Sequence, residues 1–416
     1  MRVTLNKHKD NTPVVATLKL PENKSISNRL MIISALSGNF PPPGYHPTTD
    51  DSRLMYRHLQ SFFGGHQDYF CDNAGTVLRF LAPFLAFQGG RFILHGSERM
   101  HKRPLSGLDR LLIQLGAEVH ALERAGYPPI SIVSNGLKGD KVEVTAYESG
   151  QPVSGILMLA PLLSNGLKVV YEKPLPGFPY IEMTLQMMNR SGIRTETSDS
   201  GITVFPGVYN TKNLQPEPDW SAAAFWYELV SLLPRGSKIN LPRLPLSSSI
   251  QGDKYAATLF EGLGVTTMTD GDGISIVKAR NPQSAIRASF FDHPDLFPAF
   301  ATACAALGVS AELTGLQNLK HKESDRIQAI VDQLAAYGFR IANDADTHTV
   351  RISPGTLPQD QHMHFERFKD HRLAMALARL AALYKIRIEN ADAVSKSYPQ
   401  YWEEMAKTGI ITETNE

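Results

Sequence analysis

The chain has few cysteines, almost no excess charge and no long apolar run, and each shortage excludes a class of protein. Its 416 residues include only two cysteines, Cys71 and Cys304, which cannot build a disulfide framework and suit a reducing compartment. A formal net charge of +1 argues against a general binder of nucleic acids or membrane surfaces. The longest apolar stretch, residues 299–309, is far too short to span a membrane, and residues 1–15 lack the apolar core of a signal peptide. These properties predict a cytoplasmic globular protein.

Sequence motifs of several common chemistries are also absent. There is no Gly-x-x-x-x-Gly-Lys phosphate loop, no Gly-x-Gly-x-x-Gly and no His-Glu-x-x-His. His362 and His364 alternate without a cysteine or carboxylate set at zinc spacing, so we expect no metal site. An apolar content of 42% and a charged content of 20% are ordinary for a globular protein, and the length suits two or three domains.

The chain does have a repeated alternation of helix-like and strand-like segments. A first series of helix-like runs comprises residues 26–37, 74–87, 153–164, 221–233, 296–307 and 371–383. A second series comprises residues 51–63, 104–115, 181–191, 253–263, 323–337 and 399–408, and its members end at Gly64, Gly116, Gly192, Gly264, Gly338 and Gly409. Glycine commonly ends helices because it adopts the left-handed conformation without a Cβ penalty. From Gly116 onward these glycines lie about 71–76 residues apart, which predicts a repeat architecture.

Short β-rich runs follow the helix-like runs, and this alternation predicts an α/β fold. These runs are residues 92–95, 117–121, 169–171, 193–197, 239–241, 265–268, 311–313, 339–342 and 386–388. The helices 74–87 and 296–307 are apolar nearly all round, so we expect the helices to form the core and the sheets to cover it. Residues 39–49, with three consecutive prolines, are predicted to be a loop, and residues 20–21 and 216–218 are candidate linkers.

Cationic and small residues cluster where the predicted helices begin. Lys24, Ser25 and the helix N–H groups can hold a phosphate, with Arg29 one turn further on. Gly75 lets a ligand approach the backbone at the next helix start. Similar clusters occur at residues 98–104, 320–326, 370–372 and 396–399, and Asp295 lies at another helix start.

Each cluster has an ordinary alternative explanation. Residues 21–29 read equally as a capped helix with a solvated first turn, and residues 72–79 as a turn with a cap. Residues 98–104 read as a solvated charge run, and residues 320–326, where Lys322 and Arg326 are predicted to share a helix face, as a surface lattice of ion pairs. Asp295 and Asp370 read as N-caps. All of the clusters occur in register with the repeat, and together they predict one anion-binding site.

With these segments in view, the chain resembles the 5-enolpyruvylshikimate-3-phosphate synthase family of enolpyruvyl transferases, from residue 20 to residue 402. The motifs that carry the resemblance are LPENKSISNR, DNAGTVLR, ERMHKRPL, ESGQPVSG, PYIEMTL, PDWSAAAF, SIQGD, HPD, KHKESDR, DHRLAMA and SKSYPQYW. The resemblance implies an inside-out α/β barrel pair, in which each of two domains has three βαβαββ repeats around buried helices and the substrate cleft lies between the domains. One domain would span 21–218 and the other 1–20 plus 219–416, with hinges near 20–21 and 218–219.

The implied reaction transfers the enolpyruvyl group of phosphoenolpyruvate to the 5-hydroxyl of shikimate 3-phosphate and releases phosphate, in chorismate and aromatic amino-acid biosynthesis. It implies no cofactor, no metal, no nucleic-acid or membrane partner, and a monomer. Such chemistry requires an acid for the methylene carbon, a base for the hydroxyl, and preorganised cations for the carboxylate and phosphate groups. The family is the target of glyphosate, a mimic of phosphoenolpyruvate, and we expect glyphosate to fit beside Gly75, although Phe80 stands where the family has proline.

The resemblance also implies roles for particular residues. Lys24 would contact both substrates and belong to the catalytic set. Shikimate 3-phosphate would be held by Ser25, Arg29, Ser149, Gln151, Tyr180, Asp295, Asn318 and Lys322, and phosphoenolpyruvate by Gly75, Arg103, Gln151, Arg326, Arg372 and Lys396. Arg103 is chosen over Arg99 because the family ligand directly precedes the proline. Asp295 would accept the hydroxyl proton and Glu323 would donate to carbon, with Lys396 as an alternative proton carrier.

The chain departs from the family pattern at several positions. Glu22-Asn23 replaces Gly-Ser, Asp72 replaces glycine, and Gly150 and Gly177 replace serines that contact the shikimate phosphate. Two lost hydroxyls at about 1 kcal/mol each predict a raised Michaelis constant for shikimate 3-phosphate. The alternatives considered are a UDP-N-acetylglucosamine enolpyruvyl transferase, a non-catalytic anion-binding relative, and an RNA-end-processing enzyme of related architecture. No cysteine lies near residues 99–103, where the sugar-nucleotide enzyme usually has one, and the chain has neither a basic surface nor a nucleotide-linking nucleophile.

Overall fold

The computed structural model describes residues 1–8, 12–145, 150–172, 175–212, 214–355, 357, 362–366, 369–410 and 412–415. These residues form a two-domain α/β structure, as the sequence predicts. One compact unit, the discontinuous unit, comprises Met1–Asn23 and Glu217–Glu416, and the other, the continuous unit, comprises Lys24–Pro216. The domain limits at 20–21 and 218–219 stay a prediction.

The strands are numbered in chain order. They are β1 (Arg2–Leu5), β2 (Val15–Thr17), β3 (Asp68–Phe70), β4 (Gly90–His95), β5 (Glu118–Ala121), β6 (Ile130–Ser134), β7 (Lys141–Val144), β8 (Leu167–Tyr171), β9 (Thr195–Ser198), β10 (Gly201–Val204), β11 (Lys238–Leu241), β12 (Val265–Asp270), β13 (Gly273–Lys278), β14 (Ala285–Ser289), β15 (Ser310–Thr314), β16 (Ile341–Asp344), β17 (Thr349–Ile352), β18 (His362–Phe365), β19 (Lys385–Glu389) and β20 (Thr412–Asn415).

The α-helices are numbered in the same way. They are α1 (Lys24–Leu36), α2 (Asp50–Phe63), α3 (Gly75–Gln88), α4 (Glu98–His101), α5 (Leu108–Gln114), α6 (Gly150–Leu159), α7 (Phe178–Arg190), α8 (Trp220–Leu232), α9 (Ala256–Leu259), α10 (Phe297–Leu307), α11 (Arg326–Ala335), α12 (His371–Arg379) and α13 (Tyr401–Ala406). Within the described part of the chain, none of them is both long and apolar enough to cross a membrane.

Among the described residues, five four-stranded sheets share one pattern of strand pairing, which is the structural form of the sequence repeat. In the order β3-β4-β6-β5, the first pair is parallel and the two others are antiparallel. The sheets β7-β8-β10-β9 and β14-β15-β17-β16 repeat this order. The N-terminal strands complete the other two sheets, because β2 pairs parallel with β11 and β1 pairs antiparallel with β19 and β20. The chain start therefore belongs to the discontinuous unit.

The repeat that contains α1 and α2 has no such sheet among the described residues. Its segment after α1 contains Pro41, Pro42 and Pro43. Proline has no N–H to donate to a strand ladder, so this segment cannot pair as its counterparts do. The loop predicted for residues 39–49 is confirmed.

The helices are the core of the structure, as their all-round apolarity predicts. Every residue of α8 is buried, and so are residues 75–86 of α3 and residues 297–306 of α10. Burying a helix on all sides removes the polar stripe that surface helices need.

Several predicted helix bounds are wrong. The helix predicted at 104–115 begins at Leu108, and the one predicted at 253–263 has a single α-helical stretch, α9, between 3-10 turns. The helix predicted at 323–337 begins at Arg326, because the Asp325 side chain accepts from the backbone N–H of Gln328 and caps the helix there. Gly64 also differs from the other five terminal glycines, with φ −86°.

Candidate functional site

The Arg326 side chain is the centre of a buried polar cluster in the discontinuous unit. It is only 1% exposed and begins α11. Nε donates to Asp370 Oδ2 at 2.8 Å, Nη1 to Asp295 Oδ1 at 2.9 Å and Nη2 to Glu323 Oε2 at 2.7 Å. Burial lowers the pKa of this guanidinium, but the three carboxylates outweigh burial and raise the pKa above its usual value. Arg326 is therefore a permanent cation that fixes three carboxylates in place.

Asp295 is held by three cations. It lies in a 3-10 turn directly before α10, and its Oδ1 accepts from Arg326 and lies 3.5 Å from Lys322 Nζ. Its Oδ2 accepts from Arg372 Nη2 at 2.8 Å. Burial raises the pKa of the Asp295 carboxyl, but the surrounding cations outweigh it and hold that pKa well below the usual range. Asp295 is therefore ionised at neutral pH, and Asp295 is not the simple N-cap that its position also allowed.

Lys322 reaches Asp295 without sharing a helix face with Arg326. Its backbone is extended, with φ −78° and ψ −162°, and α11 begins only at Arg326. The predicted i, i+4 pairing on one helix is therefore wrong, although both side chains contact the same oxygen of Asp295. Burial lowers the pKa of Lys322, and the nearby Asp295 carboxylate opposes that shift.

Glu323 joins Arg326 to Lys396. Its Oε2 accepts from Arg326, and its Oε1 lies 3.5 Å from Lys396 Nζ. The Glu323 side chain is 8% exposed and that of Lys396 15%. The residues predicted as proton donor and alternative proton carrier are thus direct neighbours.

Asp370 and Arg372 complete this cluster. Asp370 is the N-cap of α12, because its Oδ1 accepts from the backbone N–H of Arg372 at 3.0 Å. The same carboxylate also accepts from Ser324 Oγ at 3.0 Å. Asp370 therefore combines the capping role that the sequence allowed with an anchoring role for Arg326. Asn318, which was predicted to bind substrate, precedes a 3-10 turn and is half-buried.

Two further buried carboxyl groups, those of Asp219 and Asp253, interact electrostatically with this cluster. Asp219 caps α8 and accepts from Asn23 Nδ2 at 2.6 Å. Burial raises the pKa of Asp219 to about 6, against the opposing effect of Arg372. Burial also raises the pKa of Asp253, and the charge of Asp295 raises it further. These residues were not predicted as site residues, although they stand in the quoted motifs PDWSAAAF and SIQGD.

In the continuous unit, Lys24 opens α1 and pairs with a carboxylate that sequence reasoning missed. Lys24 Nζ lies 3.0 Å from Asp51 Oδ2, with the two side chains 12% and 7% exposed. Asp51 stands in the first turn of α2, which Thr49 caps through a reciprocal bond with Ser52. Acidic residues are favoured in a first helical turn, and this preference was the one available signal. Ser25 is half-buried beside Lys24.

Arg29 is bonded within its own unit. Nε donates to Thr184 Oγ1 at 2.7 Å, Nη1 to the Ser25 carbonyl at 2.9 Å, and Nη2 to the Tyr180 carbonyl at 3.0 Å. The guanidinium also lies 4.8 Å from the centroid of the Phe80 ring. Burial lowers its pKa to about 9. These contacts connect α1 to α7 through the Arg29 side chain.

Gly75 opens α3 against two arginines. A Cβ atom at this position would lie 2.6 Å from Arg103 Nη2 and 2.6 Å from Arg79 Nη1. Arg103 Nη1 donates to the carbonyl of Asn73 at 2.9 Å and to its Oδ1 at 3.1 Å. Arg79 donates to the carbonyls of Gly75 and Pro104. A side chain at residue 75 would therefore displace the guanidinium groups of Arg103 and Arg79.

Of the cations at 99–103, Arg103 alone is buried, whereas Lys102 is exposed and pairs with Glu98 at its own helix. The choice of Arg103 over Arg99 as a substrate ligand stays a prediction. Gln151, in the first turn of α6, donates from Nε2 to Thr76 Oγ1 at 3.2 Å and so lies beside the start of α3. Ser149 lies outside the described residues.

The two glycines that depart from the family pattern contact each other. A Cβ on Gly150 would lie 2.9 Å from the carbonyl oxygen of Gly177, and Gly177 has φ +71°. A serine at either position is therefore strained. This coupling could not be predicted from local sequence pattern, since the two glycines are 27 positions apart.

Comparison with known proteins identifies relatives of the whole chain. The family described as EPSP synthase (3-phosphoshikimate 1-carboxyvinyltransferase) matches residues 48–405. A 3-phosphoshikimate 1-carboxyvinyltransferase of Bacteroides fragilis is 36% identical over 399 residues, covering 95% of this chain and 96% of the relative. One of Mannheimia haemolytica is 30% identical, covering 95% and 97%. The solved structure of EPSP synthase from Acinetobacter baumannii superposes with a TM-score of 0.75 at 20% identity over 100% of both chains. The enolpyruvyl transferase NikO from Streptomyces tendae gives 0.70 at 14% identity, covering 99% and 98%.

Proposed function

The chain belongs to the EPSP synthase family, and we propose on that premise that it transfers the enolpyruvyl group of phosphoenolpyruvate to the 5-hydroxyl of shikimate 3-phosphate. The observation that carries the proposal is the Asp295–Arg326–Glu323–Lys396 cluster. This cluster contains the ionised Asp295 carboxylate and the permanent cation Arg326. It also contains the Glu323 carboxyl and the Lys396 amine, which are in direct contact. Addition of a hydroxyl to the C2 carbon of an enol phosphate requires a base, an acid and fixed positive charge.

The reaction consists of an addition and an elimination. The hydroxyl oxygen bonds to C2 of phosphoenolpyruvate while a proton reaches C3, and then one C3 proton leaves as the C2–O bond to phosphate breaks. We assign the hydroxyl proton to Asp295 and the carbon proton to Glu323, with Lys396 as its neighbour and alternative. Arg326 and Arg372 supply positive charge for phosphoenolpyruvate, and Lys24, Gly75, Arg103 and Gln151 belong to the same assignment in the continuous unit.

The cations around Asp295 lower its pKa and so make it a weak base. A ligand carboxylate that pairs with Arg372 or Arg326 would take up part of the positive charge that now depresses this pKa. The pKa of Asp295 would then rise toward the value that a general base needs. Binding of one anionic substrate thus prepares the base for the other.

For shikimate 3-phosphate the proposal names Ser25, Arg29, Ser149, Tyr180, Asn318 and Lys322, together with Gln151, Lys24 and Asp295. Gly150 and Gly177 supply no hydroxyl, so the predicted higher Michaelis constant is part of the proposal. A cytoplasmic, monomeric enzyme is also proposed, from the low cysteine content and the family resemblance.

The test is phosphate release by the purified chain with phosphoenolpyruvate and shikimate 3-phosphate, without added metal. A parallel reaction contains UDP-N-acetylglucosamine as acceptor. Release with shikimate 3-phosphate alone is the expected result. Release with the sugar nucleotide alone would assign the chain to the other transferase, and release with neither would refute the proposal for a chain that still binds shikimate 3-phosphate.

Asp295→Asn is the matching variant, because asparagine keeps the shape of the side chain and cannot take up a proton. Its expected effect on kcat is a loss of at least a hundredfold, within the range of general-base removal. Asp344→Asn is the control, since Asp344 also pairs with an arginine, Arg351, at 3.0 Å but lies in strand β16, where the two side chains are 33% and 52% exposed. Equal activity of the two variants would contradict the role given to Asp295.

A further inference from the structure

Two buried polar atoms face each other next to Asp295 without forming a hydrogen bond. Asp253 Oδ1 and His293 Nδ1 lie 3.9 Å apart. Both atoms are buried, and neither has a hydrogen-bond partner among the described residues. The Asp253 side chain is 5% exposed and that of His293 18%. Buried polar atoms normally find partners, so this pair requires an explanation.

The surroundings of His293 hold its ring in place. The ring stacks on that of Tyr255, with the centroids 4.7 Å apart and the planes at 20°. His293 stands two residues before Asp295 and directly before Pro294, which starts the 3-10 turn. The other oxygen of Asp253 accepts from Ser221 Oγ, so Oδ1 is the oxygen that is left for His293.

A count of charges shows why a proton is needed here. Five carboxyls are linked through the contacts and electrostatic interactions of the cluster: Asp219, Asp253, Asp295, Glu323 and Asp370. Among the residues that the structure describes, the cations in contact with them are Lys322, Arg326, Arg372 and Lys396. Buried carboxylates that exceed their cations take up protons.

Asp253 is the member of this set whose partner is a histidine. Asp370 already accepts from Arg326, Ser324 and the N–H of Arg372, although His371 Nδ1 lies 4.0 Å away. Asp295 and Glu323 face cations as well. The charged and titratable groups that act on Asp253 are Asp295, His293 and Arg372, together with Asp219.

We propose that His293 is a positioning residue for Asp295, because it holds a proton against Asp253 and so prevents a second unbalanced carboxylate beside the base. The inference rests on the proposed function for its catalytic part. A contraction of the 3.9 Å separation into a hydrogen bond would satisfy both buried atoms. When the His293 proton balances the charge of Asp253, the cations around Asp295 remain available to Asp295 and to the substrate.

The test is a cycle of His293→Phe and Asp253→Asn, singly and together. Phenylalanine keeps the ring that stacks on Tyr255 and removes the proton, and asparagine removes the charge that the proton balances. His293→Phe alone is expected to raise the KM for phosphoenolpyruvate about tenfold, with a smaller change in kcat, because an unbalanced Asp253 carboxylate competes with the substrate for Arg372. In the Asp253→Asn background the same change is expected to cost less than about twofold.

The unfolding midpoint is a second readout, which does not depend on activity. His293→Phe is expected to lower the midpoint in the wild-type background and to leave it nearly unchanged in the Asp253→Asn background. If the proposed reaction fails, this coupling in stability still tests the pair. Equal losses in both backgrounds, in activity and in midpoint, would overturn the proposal.

Two further variants sharpen the result. His293→Gln keeps a neutral donor, and we expect it to show the loss of His293→Phe, whereas wild-type activity would mean that no charge is needed and would overturn the proposal. His95→Phe is the matched control, because His95 Nε2 pairs with Asp68 at 2.8 Å and its ring contacts Phe70, but on the surface of the continuous unit. This control is expected to retain kcat, the KM for phosphoenolpyruvate and the unfolding midpoint.

Discussion

Replacing Arg326 with lysine tests the central feature of the discontinuous unit. Arg326 makes four hydrogen bonds to three carboxylates from a side chain that is 1% exposed. A lysine ammonium is a single point of charge and cannot span Asp370, Asp295 and Glu323 together. At least two charge-assisted bonds are lost, at about 1.5–3 kcal/mol each.

The smallest loss on this count is about 3 kcal/mol, which corresponds to roughly a hundredfold in kcat/KM. We expect Arg326→Lys to lower kcat/KM for phosphoenolpyruvate by at least this factor in a phosphate-release assay. The unfolding midpoint should fall as well, because a carboxylate left without its partner in the interior is costly.

Arg351→Lys is the matched control for this variant. Arg351 lies in the same unit and also faces two carboxylates, Asp344 at 3.0 Å and Glu312 at 3.7 Å, but its side chain is 52% exposed. Exposed pairs contribute about 0–1 kcal/mol, so we expect no measurable change in activity. The reasoning is refuted if folded Arg326→Lys retains kcat/KM within about threefold of the wild type.

Three further predictions concern other positions. Gly75→Ala places a Cβ 2.6 Å from Arg103 Nη2, so the KM for phosphoenolpyruvate should rise at least about tenfold. The KM for shikimate 3-phosphate should rise less. Equal changes of the two KM values in steady-state kinetics would contradict this prediction. Gly150→Ser places a Cβ 2.9 Å from the Gly177 carbonyl oxygen, so it should lower the unfolding midpoint without lowering the KM for shikimate 3-phosphate, and a lower KM would count against the argument. Burial raises the pKa of Asp219 in the folded chain to about 6, against a usual value of 3.8. The free energy of unfolding should therefore fall by about 3 kcal/mol as pH rises from about 4 to 6. Asp219→Asn should flatten that loss in denaturant titrations, and an unchanged pH profile would refute the prediction.

The repeat and the buried helices could be predicted from the sequence because they depend on local pattern. Glycines at regular spacing and all-round apolar runs such as residues 74–87 are visible without any long-range contact. The helix starts were less predictable. The run at 323–337 looks helical throughout, but the Asp325 cap moves the start to Arg326, and a cap is decided by a single side-chain bond.

The pairings within the site could not be predicted from pattern alone. Lys24 and Asp51 stand 27 positions apart at the starts of two helices, and their contact depends on how α1 and α2 pack. The family resemblance implied a role for Lys24 because it transfers ligand-binding positions, and Asp51 was not among those positions. Gly150 and Gly177 show the same limit. In the sequence each looks like an independent lost hydroxyl, but in the structure a Cβ on Gly150 would lie 2.9 Å from the carbonyl oxygen of Gly177.

These pairings bear on how a nearly neutral chain accommodates anionic substrates. In each unit a cation proposed to bind substrate already faces a carboxylate, Lys24 with Asp51 and Arg372 with Asp295. A substrate phosphate or carboxylate must therefore compete with a protein carboxylate for the cation, rather than meet a bare positive charge. Such competition lowers affinity for any single anion. At Asp295, displacement of the cations would raise the pKa of the carboxyl, and this rise suits the role of base that we propose for Asp295, because proton affinity would increase only when the substrate has arrived.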